Sequence, residues 1–423
     1  MTRFAIKCLK LPLLPIAGLC AIAVRLLYRV GVHIQFGGFV SSRIGHLCGN
    51  TNVYLCEREE GRRDSIHIWT QYGPVASKQM AKMVNRAVSK TAIVDPTGFA
   101  ILVVLMNKLF DGWERFDVGF TTWDRDPDGL LQKYPPHLYF TDAEEARGRH
   151  EVASLGIPLD AKWVCLMVRD GAYLPSLPYH NYRNADIDTY ADAALHLAKR
   201  GYYVVRIGEK MEKPFSAKHP RIIDYAFHEQ KNDFTSIYLA ARCHFAISSG
   251  LGIDSVTEAF RRPVCYTNYV PLAYLRTYHP NSLTIWKHHE KDGKRMSVEE
   301  IHESGAATYM ESATFEANNV KLIDNTPQEL LDVVEEMADM MEGRFRPDAQ
   351  EAFWKAWPMT ECPFHHYNLH GVLNTRIGSK FLRGYDAERK EDTGGDTGAG
   401  RIEAGADEER NDLQDKRRVQ IVG

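Results

Sequence analysis

Apolar and amphipathic segments alternate between about residues 160 and 345, and this alternation constrains the fold more than any other feature of the sequence. Buried strands are predicted where short apolar runs occur, at 163–168, 202–208, 221–226, 244–249 and 263–268. The segments between them have helical spacing, and Gly201 follows the end of the first. Strands separated by helices form right-handed βαβ units, so their sheet is parallel and covered on both faces. The sequence predicts an α/β protein.

The preceding part of the chain is less regular but similar in kind. Its candidate strands are VHIQFGGF (32–39), NVYLCE (52–57), SIHIWT (65–70), DVGFTTW (117–123) and HLYFT (137–141), and GFAILVVLMNKLF (98–110) is predicted as a buried helix. A capping box of Thr141 and Glu144 begins a helix that ends at Gly156. We therefore predict two Rossmann-like domains, at 31–156 and 157–345.

Different structure is expected beyond residue 345. Helices are predicted within 346–386, at 348–357 and 370–384. The segment 387–423 has no aromatic residue and few large apolar ones, which predicts a disordered tail.

The first thirty residues contain an uncharged, mostly apolar run with basic residues on both sides. Residues 11–24 are uncharged, with Arg3, Lys7 and Lys10 before them and Arg25 and Arg29 after them. A membrane span needs about 20 apolar residues, so this run is short. Apolar residues with basic flanks are typical of a helix lying in a membrane surface. We expect segment 1–30 to hold a cytoplasmic protein at the inner face of the cell membrane; the alternative is a helix packed on the protein's own core.

The net charge and the cysteine spacing argue against nucleic-acid binding and against a cysteine metal site. The net charge of -3 gives no basic surplus for nucleic acid. The eight cysteines form no CxxC pair and no Cys/His set at metal-ligand spacing, which fits unpaired thiols in a reducing compartment. DRDPDG (124–129) has the acidic spacing of a metal–diphosphate motif, but in a Pro/Gly loop. We assign no metal and no other cofactor.

A glycine-rich turn follows the strand at 244–249. Its residues are Ser248, Ser249, Gly250 and Gly252, and Glu258 lies on the next helix. Such a turn lets the backbone approach a ligand, and a helix N-terminus favours a phosphate. Glu258 could then accept hydrogen bonds from both ribose hydroxyls. The alternative is a tight turn that only packs, with a solvated glutamate.

Polar residues also follow two neighbouring strands of the second half. The loop after 163–168 contains Arg169, Asp170, Arg183 and Asn184, and Arg206 ends the next strand. Because parallel strands end at one edge of a sheet, we expect Arg169 and Arg206 to face one cleft. Guanidinium groups bind phosphate through paired, charge-assisted hydrogen bonds. The alternative is a solvated loop with surface salt bridges.

The first strand of the first half is followed by Arg43, Gly45 and His46, which we place on the acceptor side. Histidine titrates near neutrality, so His46 could take the proton of an acceptor hydroxyl. Asp170 is the alternative base, and a structural role is the alternative for His46.

In combination, RIGHL, YFTDAEE…LGI, VRD…YRNADIDTY, GYYVVRIGEK and ISSGLG resemble a family of bacterial glycosyltransferases linked to surface-polysaccharide genes. The resemblance covers about residues 30–385. It implies the two-domain GT-B architecture and transfer of a sugar from a nucleotide sugar to a glycan or lipid-linked acceptor. The roles of individual residues rest on the physical argument above. Two alternatives stay open: a sugar-nucleotide 2-epimerase of the same layout, and a non-catalytic nucleotide- or glycan-binding protein.

Overall fold

The computed structural model describes residues 13–62, 65–71, 74–90, 92–95, 102, 105–106, 113–119, 123–172, 178–345, 350–358 and 368–384. The predicted tail at 387–423, most of the predicted helix at 98–110 and the first twelve residues lie outside these ranges.

The first half is built on a parallel sheet of three described strands, in the order β1-β2-β3. The strands are β1 (Ile34–Phe39), β2 (Ile66–Gln71) and β3 (Ile93–Asp95), and the helices are α1 (Leu14–Arg29), α2 (Ile44–Glu59) and α3 (Lys78–Val88). Trp69 of β2 is fully buried and stacks on Phe39 with 4.7 Å between ring centroids. A Cβ at Gly37 would lie 2.6 Å from the Trp69 ring, so β1 needs glycine there.

Two helices, α4 (Leu130–Lys133) and α5 (Asp142–Ser154), lead into the second half. The predicted capping box at the start of α5 is confirmed, with both reciprocal hydrogen bonds of Thr141 and Glu144 present. Glu144 also accepts two hydrogen bonds of 2.8 Å from Arg86 of α3. The first turn of α5 is therefore fixed to the first half of the chain.

The second half contains a seven-stranded sheet in the order β13-β9-β8-β7-β4-β5-β6, and every pairing in it is parallel. Its first six strands are β4 (Trp163–Met167), β5 (Tyr203–Arg206), β6 (Ile222–Asp224), β7 (Phe245–Ser248), β8 (Val264–Tyr269) and β9 (Leu283–Trp286). A small antiparallel sheet contains β10 (His288–Lys291), β11 (Lys294–Arg295) and β12 (Val320–Ile323), and β13 is Arg376–Ile377.

The helices of the second half are α6 (Ala191–Lys199), α7 (Asp233–Arg242), α8 (Asp254–Ala259), α9 (Val298–Glu303), α10 (Ser312–Ala317), α11 (Pro327–Met341) and α12 (Glu351–Ala356). Of these, α6, α7, α8 and α11 contact strands of the large sheet. The predicted α/β class with Rossmann-like parallel sheets is confirmed.

Three local predictions are wrong. Residues 52–57 belong to α2 and not to a strand; α2 is buried on nearly all sides from Leu47 to Glu57, and such a helix loses the one-sided apolar repeat that marks an amphipathic helix. Residues 137–141 form no strand. Of residues 370–384, predicted as one helix, 376–377 form the edge strand β13, and only 379–384 are helical. Of the segment 117–123, Asp117 forms an isolated bridge with Phe36.

We expect Gly148→Ala in α5 to destabilise the protein by about 1–3 kcal/mol through overpacking. A Cβ there would lie 2.2 Å from the buried ring of Tyr238 on α7. Helix propensity alone predicts the opposite sign, a gain of roughly 1 kcal/mol. Urea unfolding measures the change in the free energy of unfolding. Ala146→Gly, on the exposed side of α5, is the control and measures the ordinary cost of glycine in a helix. A stabilised Gly148→Ala variant would contradict this packing.

Candidate active site

The two halves meet where α2 and α8 begin. A Cβ on Gly45 would lie 2.9 Å from the Cα of Gly252, and a Cβ on Gly252 would lie 3.1 Å from the backbone nitrogen of Gly45. Both positions therefore favour glycine because two backbones touch. This contact brings the predicted acceptor-side segment next to the predicted nucleotide turn.

The turn after β7 is fixed by hydrogen bonds to its own serines. Ser248 is fully buried; its hydroxyl donates to Asp254 (3.0 Å) and accepts from the backbone N–H of Gly250 (3.1 Å). The Ser249 hydroxyl accepts from the backbone N–H of Arg169 at 2.9 Å. Gly250 has φ +77°, in the left-handed region that favours glycine. The turn is thus held against the end of β4, where Arg169 lies.

Three arginines, Arg43, Arg169 and Arg183, form what we call the arginine cluster. Arg183 donates to the carbonyl of Gly250. Burial, followed by the charges of Arg183 and Arg43, lowers the pKa of Arg169 to about 10, and the Asp170 charge opposes this only weakly. The Nε atoms of Arg169 and Arg183 are buried without a hydrogen-bond partner among the described residues. The cluster is a concentration of positive charge with unused donors.

The protonation of His180 also depends on the charges of the arginine cluster. Burial, with the charges of Arg183, Arg169 and Arg43, lowers the pKa of His180 to about 4, so the imidazole is neutral at pH 7. Like charges raise one another's free energy, and an anion placed among them relieves that repulsion. The arrangement is suited to a phosphate or diphosphate.

A cleft of about 420 Å³ adjoins the arginine cluster, because it is lined by residues that directly follow Arg169 and Arg183. The polar groups lining it are Asp170, Asn184, Asp186, Glu212, Lys213 and Asp324. Lys213 is already paired with Asp186 at 2.7 Å. The cleft therefore has a surplus of carboxylates beside a surplus of arginines.

Asp170 and Asn184 lie in this cleft, as part of the predicted loop. One oxygen of Asp170 accepts from the N–H of Ala172 (3.0 Å) and the other from the N–H of Glu212 (2.9 Å). The carbonyl of Asn184 accepts from Lys287 at 2.6 Å. Both residues therefore shape the loop as well as line the cleft.

Arg206 does not face this cleft, contrary to the prediction. Its side chain is fully buried and donates to the carbonyl of Lys213 at 2.8 Å and to Asp224 at 3.3 Å. Residues alternate between the two faces of a strand, and the last residue of β5 points into the packing against the Lys213 loop.

Glu258 is also placed differently from the prediction. It is 4% exposed and accepts hydrogen bonds from Tyr266 (2.8 Å) and Arg276 (2.6 Å). Arg276 in turn donates to Asp124 at 3.0 Å, which joins the two halves of the chain. Burial raises the pKa of Glu258 against the opposing charge of Arg276. Glu258 belongs to this buried network and not to a surface open to a ribose.

His46 lies in the first turn of α2, three residues after Arg43. Its Nδ1 is 3.4 Å from Asn50 Oδ1, and its ring contacts the edge of Trp123 with 5.8 Å between centroids. The side chain is half-buried. His46 and Arg43 therefore share one turn and one face of the helix.

Two of the three acidic residues of DRDPDG are engaged inside the protein, and the third, Asp128, pairs with Arg62 at the surface. Asp124 pairs with Arg276, and the Asp126 carboxylate accepts from the N–H groups of Leu130 and Leu131 at 2.7 and 2.8 Å. Among the residues that the structure describes, no group of three or more His, Cys, Asp or Glu side chains could hold a metal ion.

Some site residues were missed in the sequence. His180 and Glu212 lie in loops that follow β4 and β5, and the rule that ligands bind at the carboxyl ends of strands points to both loops. Arg276 follows β8 and gave no local signal, because its partners are distant in sequence.

No family model and no curated protein matches this chain. Among solved structures, it is similar to a glycosyl transferase family 9 protein from Veillonella parvula (12% identity, 72% of this chain, 97% of that chain, TM-score 0.43). It is also similar to the ADP-heptose lps heptosyltransferase II of E. coli (14%, 73%, 100%, 0.40). A third is a putative UDP-N-acetylglucosamine 2-epimerase from Listeria monocytogenes (11%, 74%, 89%, 0.31). At this level of similarity the matches assign no activity.

We expect Arg276→Met to cost about 3–5 kcal/mol of stability, because it leaves the buried Glu258 and Asp124 carboxylates without their partner. Without Arg276, the folded-state pKa of Asp124 rises from its lowered value of about 2, and the pKa of Glu258, already raised by burial, rises further. A raised carboxyl pKa favours folding at low pH, so the loss should be smaller at pH 5 than at pH 8.

Urea unfolding at the two pH values tests this, with Arg344→Met as the control. Arg344 forms ion pairs with Asp339 and Glu342 but its side chain is 55% exposed, so about 0–1 kcal/mol is expected there. Equal losses in the two variants would show that Arg276 contributes no more than a surface pair.

Proposed function

We propose that this protein is a glycosyltransferase that uses a nucleoside diphosphate sugar. The observation that carries the proposal is the arginine cluster, whose charges lie together at the carboxyl end of a parallel sheet and form no ion pair with a carboxylate among the residues that the structure describes. A diphosphate supplies the missing negative charge. Arg169 and Arg183 are its ligands, and the Gly250–Gly252 turn lets the backbone approach it.

The nucleoside occupies the acidic cleft next to the cluster. Carboxylates accept hydrogen bonds from ribose hydroxyls, and Glu212 and Asp186 lie in that cleft. This assignment replaces Glu258 as the ribose ligand. The arrangement is consistent in charge, since the anionic part of the donor meets arginines and the hydroxyl-rich part meets carboxylates.

Transfer of the sugar requires an acceptor. The donor is bound by the second half, so we place the acceptor on the first half, beside the start of α2. The acceptor oxygen attacks the anomeric carbon of the donor sugar and forms a bond to it. The bond between the anomeric carbon and the diphosphate oxygen breaks, and the nucleoside diphosphate leaves with the electron pair. The arginines stabilise the charge that develops on this leaving group. His46 takes the acceptor proton, and Asp170, whose oxygens are both occupied by backbone N–H groups, stabilises the loop.

The acceptor we propose is a glycan or lipid-linked glycan of surface-polysaccharide synthesis. The support for it is the apolar N-terminal helix and the resemblance of RIGHL, VRD…YRN and ISSGLG to bacterial glycosyltransferases of that pathway.

Nucleotide binding is the first test. Arg169→Gln and Arg183→Gln should each weaken binding of a nucleoside diphosphate by about 10–100-fold, since a hydrogen bond to a charged group contributes about 1.5–3 kcal/mol. Calorimetric titration with UDP, ADP, GDP, dTDP and CMP finds the base. Binding of the parent nucleoside should be unchanged in both variants and weakened by Glu212→Gln.

Arg344→Gln, at an exposed arginine three residues after the end of α11, is the matched control and should bind like wild type. If all four variants bind the diphosphate with equal affinity, the cluster is not the phosphate site and the proposal loses its basis.

Catalysis is the second test. His46→Asn should lower kcat by about 10²–10⁴-fold while leaving donor affinity intact, because a general base acts in the transition state. Asp170→Asn is the comparison for the rival base. Product analysis with the donor alone separates the two activities of this fold: an isomerised donor would identify an epimerase instead.

A further inference from the structure

In α1, small residues face the protein core and large apolar residues face outward, which is the reverse of an ordinary surface helix. Its small residues Ala17 and Ala21 are fully buried, and Val24 nearly so, against a core that includes Phe36 and Phe116. Four large apolar residues of the helix and Val30 directly after it point away from the protein: Ile16, Leu19, Ile22, Leu26 and Val30 are all exposed, Leu19 by 69% and Val30 by 75%. We call these five residues the outer face of α1.

The spacing confirms that these are two opposite faces. Residues 16, 19, 22, 26 and 30 recur every three or four positions, which places them in one stripe, and residues 17, 21 and 24 form the stripe opposite. Contiguous exposed apolar surface of this kind marks an interaction site. The helix therefore has a partner on each side, and the protein core is only one of them.

The charge around α1 indicates which partner covers the outer face. The first 56 residues contain no Asp or Glu, whereas they contain Arg3, Lys7, Lys10, Arg25, Arg29 and Arg43, in a chain whose net charge is -3. Arg25 and Arg29 are exposed and one turn apart, at the edge of the outer face. A second copy of this chain would bring the same positive charges together. An anionic lipid surface supplies both an apolar layer and opposite charge.

We propose that α1 binds an anionic bilayer through its outer face and lies in the plane of the membrane surface. The inner face packs on the protein along the helix, so lipid cannot surround α1 while the protein is folded. No described helix is long and apolar enough to span a bilayer. The sixteen residues of α1 extend about 24 Å, less than the hydrocarbon thickness of about 30 Å.

This placement has a consequence for the acceptor, which rests on the proposed function. β1 begins a few residues after α1, and its six residues extend about 20 Å before the chain reaches Arg43. Arg43 follows Arg29 by fourteen residues, so the arginine cluster lies within about 50 Å of the membrane-bound helix. A glycan attached to a lipid phosphate is the acceptor class that fits this distance.

The test is co-sedimentation of the full chain with vesicles of phosphatidylcholine, with and without phosphatidylglycerol. Wild type should bind the anionic vesicles, and the triple variant L19S/I22S/L26S should lose about tenfold or more in partitioning because its apolar contact is removed. Leu159→Ser is the matched control, since Leu159 is 68% exposed elsewhere on the surface. It should bind like wild type.

The charge variant R25Q/R29Q should lose roughly tenfold on anionic vesicles, because each basic residue near the surface adds to lipid attraction. K291Q/K294Q on the exposed β10–β11 hairpin is its control and should bind like wild type. Unfolding midpoints equal to wild type confirm that these exposed substitutions leave the fold intact.

Unchanged vesicle binding in both α1 variants would overturn the proposal. So would a wild-type dimer in analytical ultracentrifugation that L19S/I22S/L26S converts to a monomer, since the outer face would then contact a second copy. Nucleotide titration on the same samples separates the two proposals. Normal nucleotide affinity without vesicle binding overturns only the membrane inference, and vesicle binding without nucleotide affinity overturns only the transferase.

Discussion

The contact between α2 and α8 is the constraint on which the candidate site depends. Gly45 and Gly252 let two backbones touch, and beneath them Arg276 joins Glu258 of the second half to Asp124 of the first. Buried charges are stable only when their partners are in place, so this network fixes one relative position of the two segments. The arginine cluster exists because of that position, since Arg43 reaches Arg169 and Arg183 across it.

Two of the residues that the sequence predicts as ligands have structural roles instead. Arg206 and Glu258 are charged residues at the ends of strands or the starts of helices, as ligand-binding residues often are. Both are buried and hydrogen-bonded within the protein, where they hold loops and helices in place. Arg169 and Arg183 have the same residue type as Arg206 and similar positions, but their charges lie beside each other and beside Arg43, whereas Arg206 pairs with Asp224. Among the described residues, an ion pair with a carboxylate therefore distinguishes Arg206 from Arg169 and Arg183.

The sequence predicted the second half well because its signals are local. Short β-branched and aromatic runs separated by amphipathic helices identify β4 to β8, and the Thr141–Glu144 capping box identifies the start of α5. The order of the strands in the sheet, the burial of Glu258 and the role of Arg276 depend on contacts between distant segments, which no local pattern contains. The error at 52–57 has the same origin: a helix enclosed by protein on all sides has no amphipathic repeat to recognise.

The last strand, β13, pairs with β9 at Arg376 and Leu283, although a small sheet and several helices separate them along the chain. During synthesis on the ribosome, the edge of the large sheet at β9 therefore stays unpaired until residue 377 has left the exit tunnel. An unpaired parallel edge is prone to pairing with other chains. The chain must keep β9 from aggregating throughout that interval, and helix α11, which emerges first and contacts β9, is the element placed to shield it.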